Sequence, residues 1–211
     1  MPRLCPRLFL CLSLLFLPFA ARNMEAQEFD GNVKTVPAQN ALPMLAAKPV
    51  QDDAAHSVAI RTREFTMDGA KDTGRAPGDT RMGLLLELRR PAAQEKALND
   101  FVTQTGRPDT PLYGKTLTPV EFAQRFGLAG SDLDAVKGWL TAKGFEVGNV
   151  DNGRLAIDFK GTAAQVEDAF HTEIRLYKSA DGVQHFANAT ELQVPRQLAR
   201  VIESIEGAQN F

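Results

Sequence analysis

Cysteine is nearly absent from this sequence: the 211 residues contain two, Cys5 and Cys11. Both fall in an amino-terminal segment expected to be removed, which leaves no material for a disulfide, a thiolate nucleophile or a cysteine metal site. Histidine is almost as scarce, and His56, His171 and His185 are too scattered for a paired-ligand motif. No metal and no cofactor is expected, and the three imidazoles are assigned structural roles; His171, closing "DAFHTE", suits a helix carboxyl end. An excess of one charge is also lacking. Lys and Arg number 24 against 26 Asp and Glu, a net of −2, so nucleic acid is an unsuitable electrostatic partner. Long apolar runs are missing with one exception, "LFLCLSLLFLPFA" at residues 8–20. It is shorter than the roughly 20 residues a membrane-spanning helix needs. Arg3 and Arg7 precede it and Ala21 follows, the order of a secretory signal peptide. Residues 1–21 are therefore expected to be a cleaved leader, placing the chain outside the cytoplasm (secreted or periplasmic) with no stable membrane anchor.

What is present is the composition of an ordinary folded domain, 44% hydrophobic and 24% charged, with no internal repeat. Residues 22–80 are rich in Ala, Pro, Gly and Asp. They predict an extended lead-in with at most one short strand, near Val58 and Ile60 in "HSVAIRTREF". The folded core is expected to begin near Arg81 and run through residues 81–211.

In "RMGLLLEL", Met82, Leu84, Leu86 and Leu88 recur at period two and predict a strand with one buried face. Pro91 then opens "PAAQEKALNDFVTQTG", where Ala97, Leu98, Phe101 and Val102 have helical spacing and Gly106 supplies a stop. Thr118, Pro119 and Glu121 form a capping box with proline at the first helical position; Thr162 and Gln165 repeat the box, and Ser131 with Asp134 give a weaker form of it. The second of these helices, "DAVKGWLTAKG", turns Leu133, Val136 and Leu140 inward. Asp151, Asn152 and Gly153 separate "FEVGNV" from "RLAIDFKG" and predict a hairpin. "TEIRLYKS" alternates again and turns at Asp181 and Gly182 into "VQHFAN".

The order strand, helix, small helical insertion, strand, strand, helix, strand is that of an α+β, ferredoxin-like split βαβ fold, an antiparallel sheet with helices on one face. "TEIRLYKS" supplies the last strand in this reading. The other face, bearing Arg154, Asp158, Glu173, Arg175 and Tyr177, is left open to a partner. Glu167 with Asp168, and Asp132 with Asp134, are carboxylate pairs by sequence, but their spacing does not bring them together for acid catalysis, and solvated or capping roles are expected. Asn188, Ala189 and Thr190 form a glycosylation sequon whose expected role is a turn. Trp139 lies on the inward stripe of its helix and is expected in the core.

"LTPVEFAQRFG", "VKGWLTAKGFEV", "RLAIDFKGTAAQVEDAFHTEIRLY" and "HFANATELQVP", in that order, resemble the successive signatures of pro-kumamolisin activation domains, the prodomains of sedolisin serine peptidases. "VIESIEGAQNF" resembles the segment that closes such prodomains, matching at Gly207, Asn210 and Phe211. One departure is Gly114, where relatives often carry a histidine before the lysine. The resemblance implies a partner, a sedolisin-type serine peptidase, and a role as its inhibitor and folding chaperone. It implies docking by the open sheet face and a tail, Ile205, Glu206, Gly207, Asn210 and Phe211, directed toward the catalytic cleft. The "SGTS" nucleophile context and the Glu and Asp pair of the sedolisin catalytic domain do not occur in this sequence. The chain is therefore not expected to be a peptidase itself, acting in trans or surviving as a truncated remnant. The rival expectation is a secreted interaction module of the same fold with another partner.

Overall fold

A computed structural model describes residues 41–45, 50–52, 54–62 and 69–211. The leader expected at residues 1–21 lies outside the described residues, as does part of the lead-in. In chain order the elements are β1 (Ser57–Ala59), β2 (Lys71–Arg75), β3 (Arg81–Leu88), α1 (Ala92–Thr105), α2 (Pro119–Phe126), α3 (Gly130–Ala142), β4 (Glu146–Val150), β5 (Ala156–Thr162), α4 (Ala163–Phe170), β6 (Ile174–Lys178), β7 (Gln184–Asn188), β8 (Gln193–Pro195) and β9 (Ile202–Glu206).

Alternation builds the main sheet. Met82, Leu84, Leu86 and Leu88 point into the core from β3, and Ile157 and Phe159 do so from β5, while their neighbours Gly83, Glu87, Asp158 and Lys160 are exposed. The strands are antiparallel in the order β4-β5-β3-β9. β3 and β4 thus flank β5, and β5 and β9 flank β3, the two interleaved split units of a ferredoxin-like α+β fold. The fourth strand is not "TEIRLYKS" as expected but β9, whose Ile202 and Ile205 are buried with the strand residues of the core. "TEIRLYKS" supplies β6, which joins β7 in a hairpin and takes β2 on its other side, giving a second sheet in the order β2-β6-β7. β1 pairs with β8 in a two-stranded ribbon.

The first helix does not cover the sheet. α1 buries no residue, and Val102 is 58% exposed. It lies on α2, where the Phe101 and Phe126 rings are 5.7 Å apart and the Arg125 guanidinium sits 5.0 Å from the Phe101 centroid. The core face is covered by α3 and α4, through Val136, Trp139 and Leu140 from one and Val166, Ala169 and Phe170 from the other. α3 carries its bulky apolar stripe, Leu133, Val136, Trp139 and Leu140, along two turns, whereas the stripe of α1, Leu98, Phe101 and Val102, covers about one turn and is met by α2. Trp139 packs edge-on to Phe170 at 5.6 Å and Phe145 to Phe159 at 5.1 Å, so the tryptophan is a core residue.

Both full capping boxes form, Thr118 with Glu121 and Thr162 with Gln165. The weaker one does not: α3 begins at Gly130, with Ser131 inside it and no side-chain cap. Asp132 is buried instead, accepting from the backbone N–H groups of Met44 and Leu45 at 2.6 and 3.1 Å. Lys143, just past the end of α3, pairs with Asp52 at 2.8 Å. The two ends of α3 thereby hold residues 44–45 and 52 of the lead-in. With β1 and β2, that segment contributes two strands that precede Arg81, one more than expected. β2 was illegible because "KDTGR" has no apolar alternation; side-chain charges bind it.

Candidate functional site

The open face of the four-stranded sheet follows from its register. On β3 the outward residues are Gly83, Leu85 and Glu87; Gly83 stands opposite Lys160, Leu85 opposite Asp158 and Glu206, and Glu87 opposite Ala156 and Ser204. Lys160 is in turn paired with Glu146 of β4. Antiparallel sheets can leave one face to solvent, and no helix among the described residues covers this one. Around Gly83 and Leu85 the face sinks into a shallow depression of about 530 Å³, also lined by Gly148, Asp158, Lys160 and Glu206.

Charges around this depression are differently committed. Glu146 pairs with Arg81 at 3.7 Å, and the Ser204 hydroxyl donates to Glu87 at 2.6 Å. Asp158, Lys160 and Glu206 have no ion pair among the described residues. A surface with half-exposed Leu85 at its centre, carboxylates on either side and an ammonium above it can bind a partner. It holds no nucleophile with a base. Among the described residues no group of three or more His, Cys, Asp or Glu side chains is placed to hold a metal.

The sequence-derived candidates divide among four places. Asp158, Glu206 and Gly207 meet at the depression. Arg154 sits half-buried in the β4–β5 turn at φ 58°. Glu173, Arg175 and Tyr177 belong to the second sheet, because β6 leaves the main one. There Arg175 is bridged between Asp72, at 2.6 Å, and Glu173, and this pairing holds the Asp72 carboxyl below the usual range. Tyr177 is 8% exposed, with Phe211 beside it at 5.8 Å. Ile205 is a core residue of β9, 1% exposed, and is not available to a partner. Asn210 is tied back to β7: its backbone N–H donates to the Phe186 carbonyl and its side-chain oxygen accepts from the Phe186 N–H at 2.7 Å. Phe211 stacks on His185 at 4.6 Å. Gly83, Leu85 and Lys160 complete the face. Their signal was present in the strand alternation, which puts Gly83 and Leu85 on the side away from Met82 and Leu84.

Glu167, expected in a solvated or capping role, is structural, and Asn188 lies in a turn as expected. Glu167 is buried and accepts from both the Arg75 guanidinium and the Ile174 N–H, the latter at 2.8 Å. Burial opposes its ionisation, but Arg75 and the Ile174 N–H outweigh it and hold the carboxyl below the usual range. This is the clasp that binds β2 and β6 to α4. Asn188 donates from its side chain to the Thr190 carbonyl at 2.8 Å in the bend after β7. Gly114 has φ 68°, a backbone conformation that glycine adopts without steric cost.

The profile of the pro-kumamolisin activation domain matches residues 68–211. The chain belongs to that family. It is 36% identical over 145 residues to xanthomonalisin from Xanthomonas sp. (strain T-22), covering 68% of this chain and 17% of that one. It is 32% identical over 135 residues to sedolisin from Pseudomonas sp. (strain 101), covering 64% of this chain and 22% of that one. The chain thus spans about a fifth of the length of these relatives, and the matched part is the activation domain. The match starts ahead of β2, so the second sheet lies wholly within the family segment.

Proposed function

We propose that the chain is a propeptide-type inhibitor and folding chaperone of a sedolisin-type serine peptidase, exported by its amino-terminal leader. The observation that carries this reading is the uncovered sheet face with Leu85, Asp158, Lys160 and Glu206, in a chain of the activation-domain family. Such a face can bury Leu85 against the peptidase while its uncommitted charges meet opposite ones. The chain acts as a binding partner and supplies no catalytic group. Among the described residues no helix is long and apolar enough to cross a membrane.

Release by acid follows from the same charges. Carboxylates paired with a partner have lowered pKa values in the complex, so their contribution is present above the free value and lost as pH falls through the bound one. Binding is therefore tight near neutrality and weakens below about pH 4, where free Asp and Glu titrate. The test is titration of the purified chain into a mature sedolisin-type peptidase at both pH values. Stronger inhibition at neutrality supports the reading. Equal inhibition rejects the acid mechanism, and no inhibition at either pH rejects the function.

A further inference from the structure

Gly83 is the third residue of β3, paired with Lys160 of β5 on one side and lying two residues ahead of Leu85, where the pairing with β9 ends on the other. Glycine weakens a strand interior, and its presence there marks a bulge, a sharp bend or the close approach of another group. The β3–β5 register runs without a shift through Gly83, which removes the bulge. Its φ is not in the left-handed region, and a Cβ built on it meets no heavy atom of the described residues within 4 Å, so none of them crowds the position. Neighbouring glycines behave otherwise. A Cβ on Gly161 would lie 2.5 Å from the Phe145 ring, and one on Gly207, at φ 87°, would lie 2.4 Å from the Gly83 carbonyl oxygen. Those two are required by the fold; Gly83 is not. The remaining reason for a missing side chain is an approach from outside, and Gly83 lines the depression in the open face.

We infer that Gly83 is a specificity-determining residue of the docking surface: it forms a seat for a protruding apolar side chain of a sedolisin-type peptidase. Leu85 packs beside that side chain, and Asp158 and Glu206, which have no ion partner among the described residues, face cationic or N–H groups around it. The inference rests on the docking role proposed above and adds where on the face the partner closes. The peptidase is the occupant because the relatives carry most of their length outside the segment this chain matches.

The experiment compares the full chain with Gly83→Val and Gly138→Ala. Gly138 is the control, on α3 at the opposite side of the sheet and equally open to a Cβ. Thermal melting is measured together with inhibition of mature xanthomonalisin and of mature sedolisin. The expected result is that Gly83→Val melts at or above the parent temperature but inhibits at least tenfold more weakly, while Gly138→Ala inhibits as the parent does. Inhibition by Gly83→Val within twofold of the parent overturns the seat and leaves the inhibitor role standing. A lower melting temperature for Gly83→Val also overturns it, by showing that the fold needs this glycine. A folded parent that inhibits neither peptidase overturns the inhibitor role and the seat together. Light scattering of the chain alone completes the test: a dimer that Gly83→Val abolishes assigns the depression to a second copy and overturns the peptidase as occupant.

Discussion

Replacing Glu167 should separate what its charge contributes from what its hydrogen bond contributes. The side chain is 6% exposed and serves two donors of different kinds, the Arg75 guanidinium, whose side chain is 63% exposed, and the N–H of fully buried Ile174. Glu167→Gln keeps an acceptor for the Ile174 N–H and loses the charge opposite Arg75. The freed guanidinium is already in solvent, so no buried charge is left behind, and the expected cost is about 1 kcal/mol, the difference between a charged and a neutral hydrogen bond. Glu167→Ala also strands the Ile174 N–H, and its cost rises to about 2–3 kcal/mol. At about 2–4 °C per kcal/mol for a chain of this size, the alanine variant should melt roughly 5–10 °C below the parent at pH 7. The pH dependence has a definite sign. The folded carboxyl is depressed, so the Arg75 contribution is present above the ordinary carboxylate range and disappears as pH falls through the folded value. Urea unfolding at pH 7 and pH 3 should therefore show the gap between parent and Glu167→Gln closing in acid. An alanine variant within about 0.5 kcal/mol of the parent at pH 7, or a gap independent of pH, refutes the clasp.

Gly161→Ala should destabilise by about 1–3 kcal/mol, because its Cβ enters the Phe145 ring in a packed core, and denaturant midpoints measure this. Thr118→Ala removes a formed capping box and should cost about 1 kcal/mol by the same measurement. Asp132→Ala should release residues 44–45 from α3, read as faster amide exchange at Met44 and Leu45 with the main sheet still protected. Asp158→Asn combined with Glu206→Gln should flatten the pH dependence of peptidase inhibition while leaving the melting temperature unchanged, since neither carboxylate has an ion partner among the described residues.

Much of the candidate face could be read in advance, and the parts that could not share a cause. Asp158, Lys160 and the outward side of β3 follow from alternation alone, because side chains on a paired strand must point to opposite faces. The grouping of Glu173, Arg175 and Tyr177 with them failed at a choice between two strands. "TEIRLYKS" and "VIESIE" both follow α4 and both alternate; β9 became the fourth strand by burying Ile202 and Ile205 beside β3, while β6 was drawn to β2 by Arg175 and Glu167. The same competition set α3 over α1. Each was decided between residues distant in sequence.

The sequence by itself determined the strands with period-two apolar faces, the two helix starts with full capping boxes, the β4–β5 hairpin and the core position of Trp139. These depend on interactions within a few residues, which local order specifies. Only the tertiary structure decided which strand joins which sheet, that Asp132 and Glu167 are buried connectors, that Ile205 is core, and that Gly83 is open where Gly161 and Gly207 are crowded. Those outcomes depend on what packs across the chain, and a residue's type does not state its neighbour.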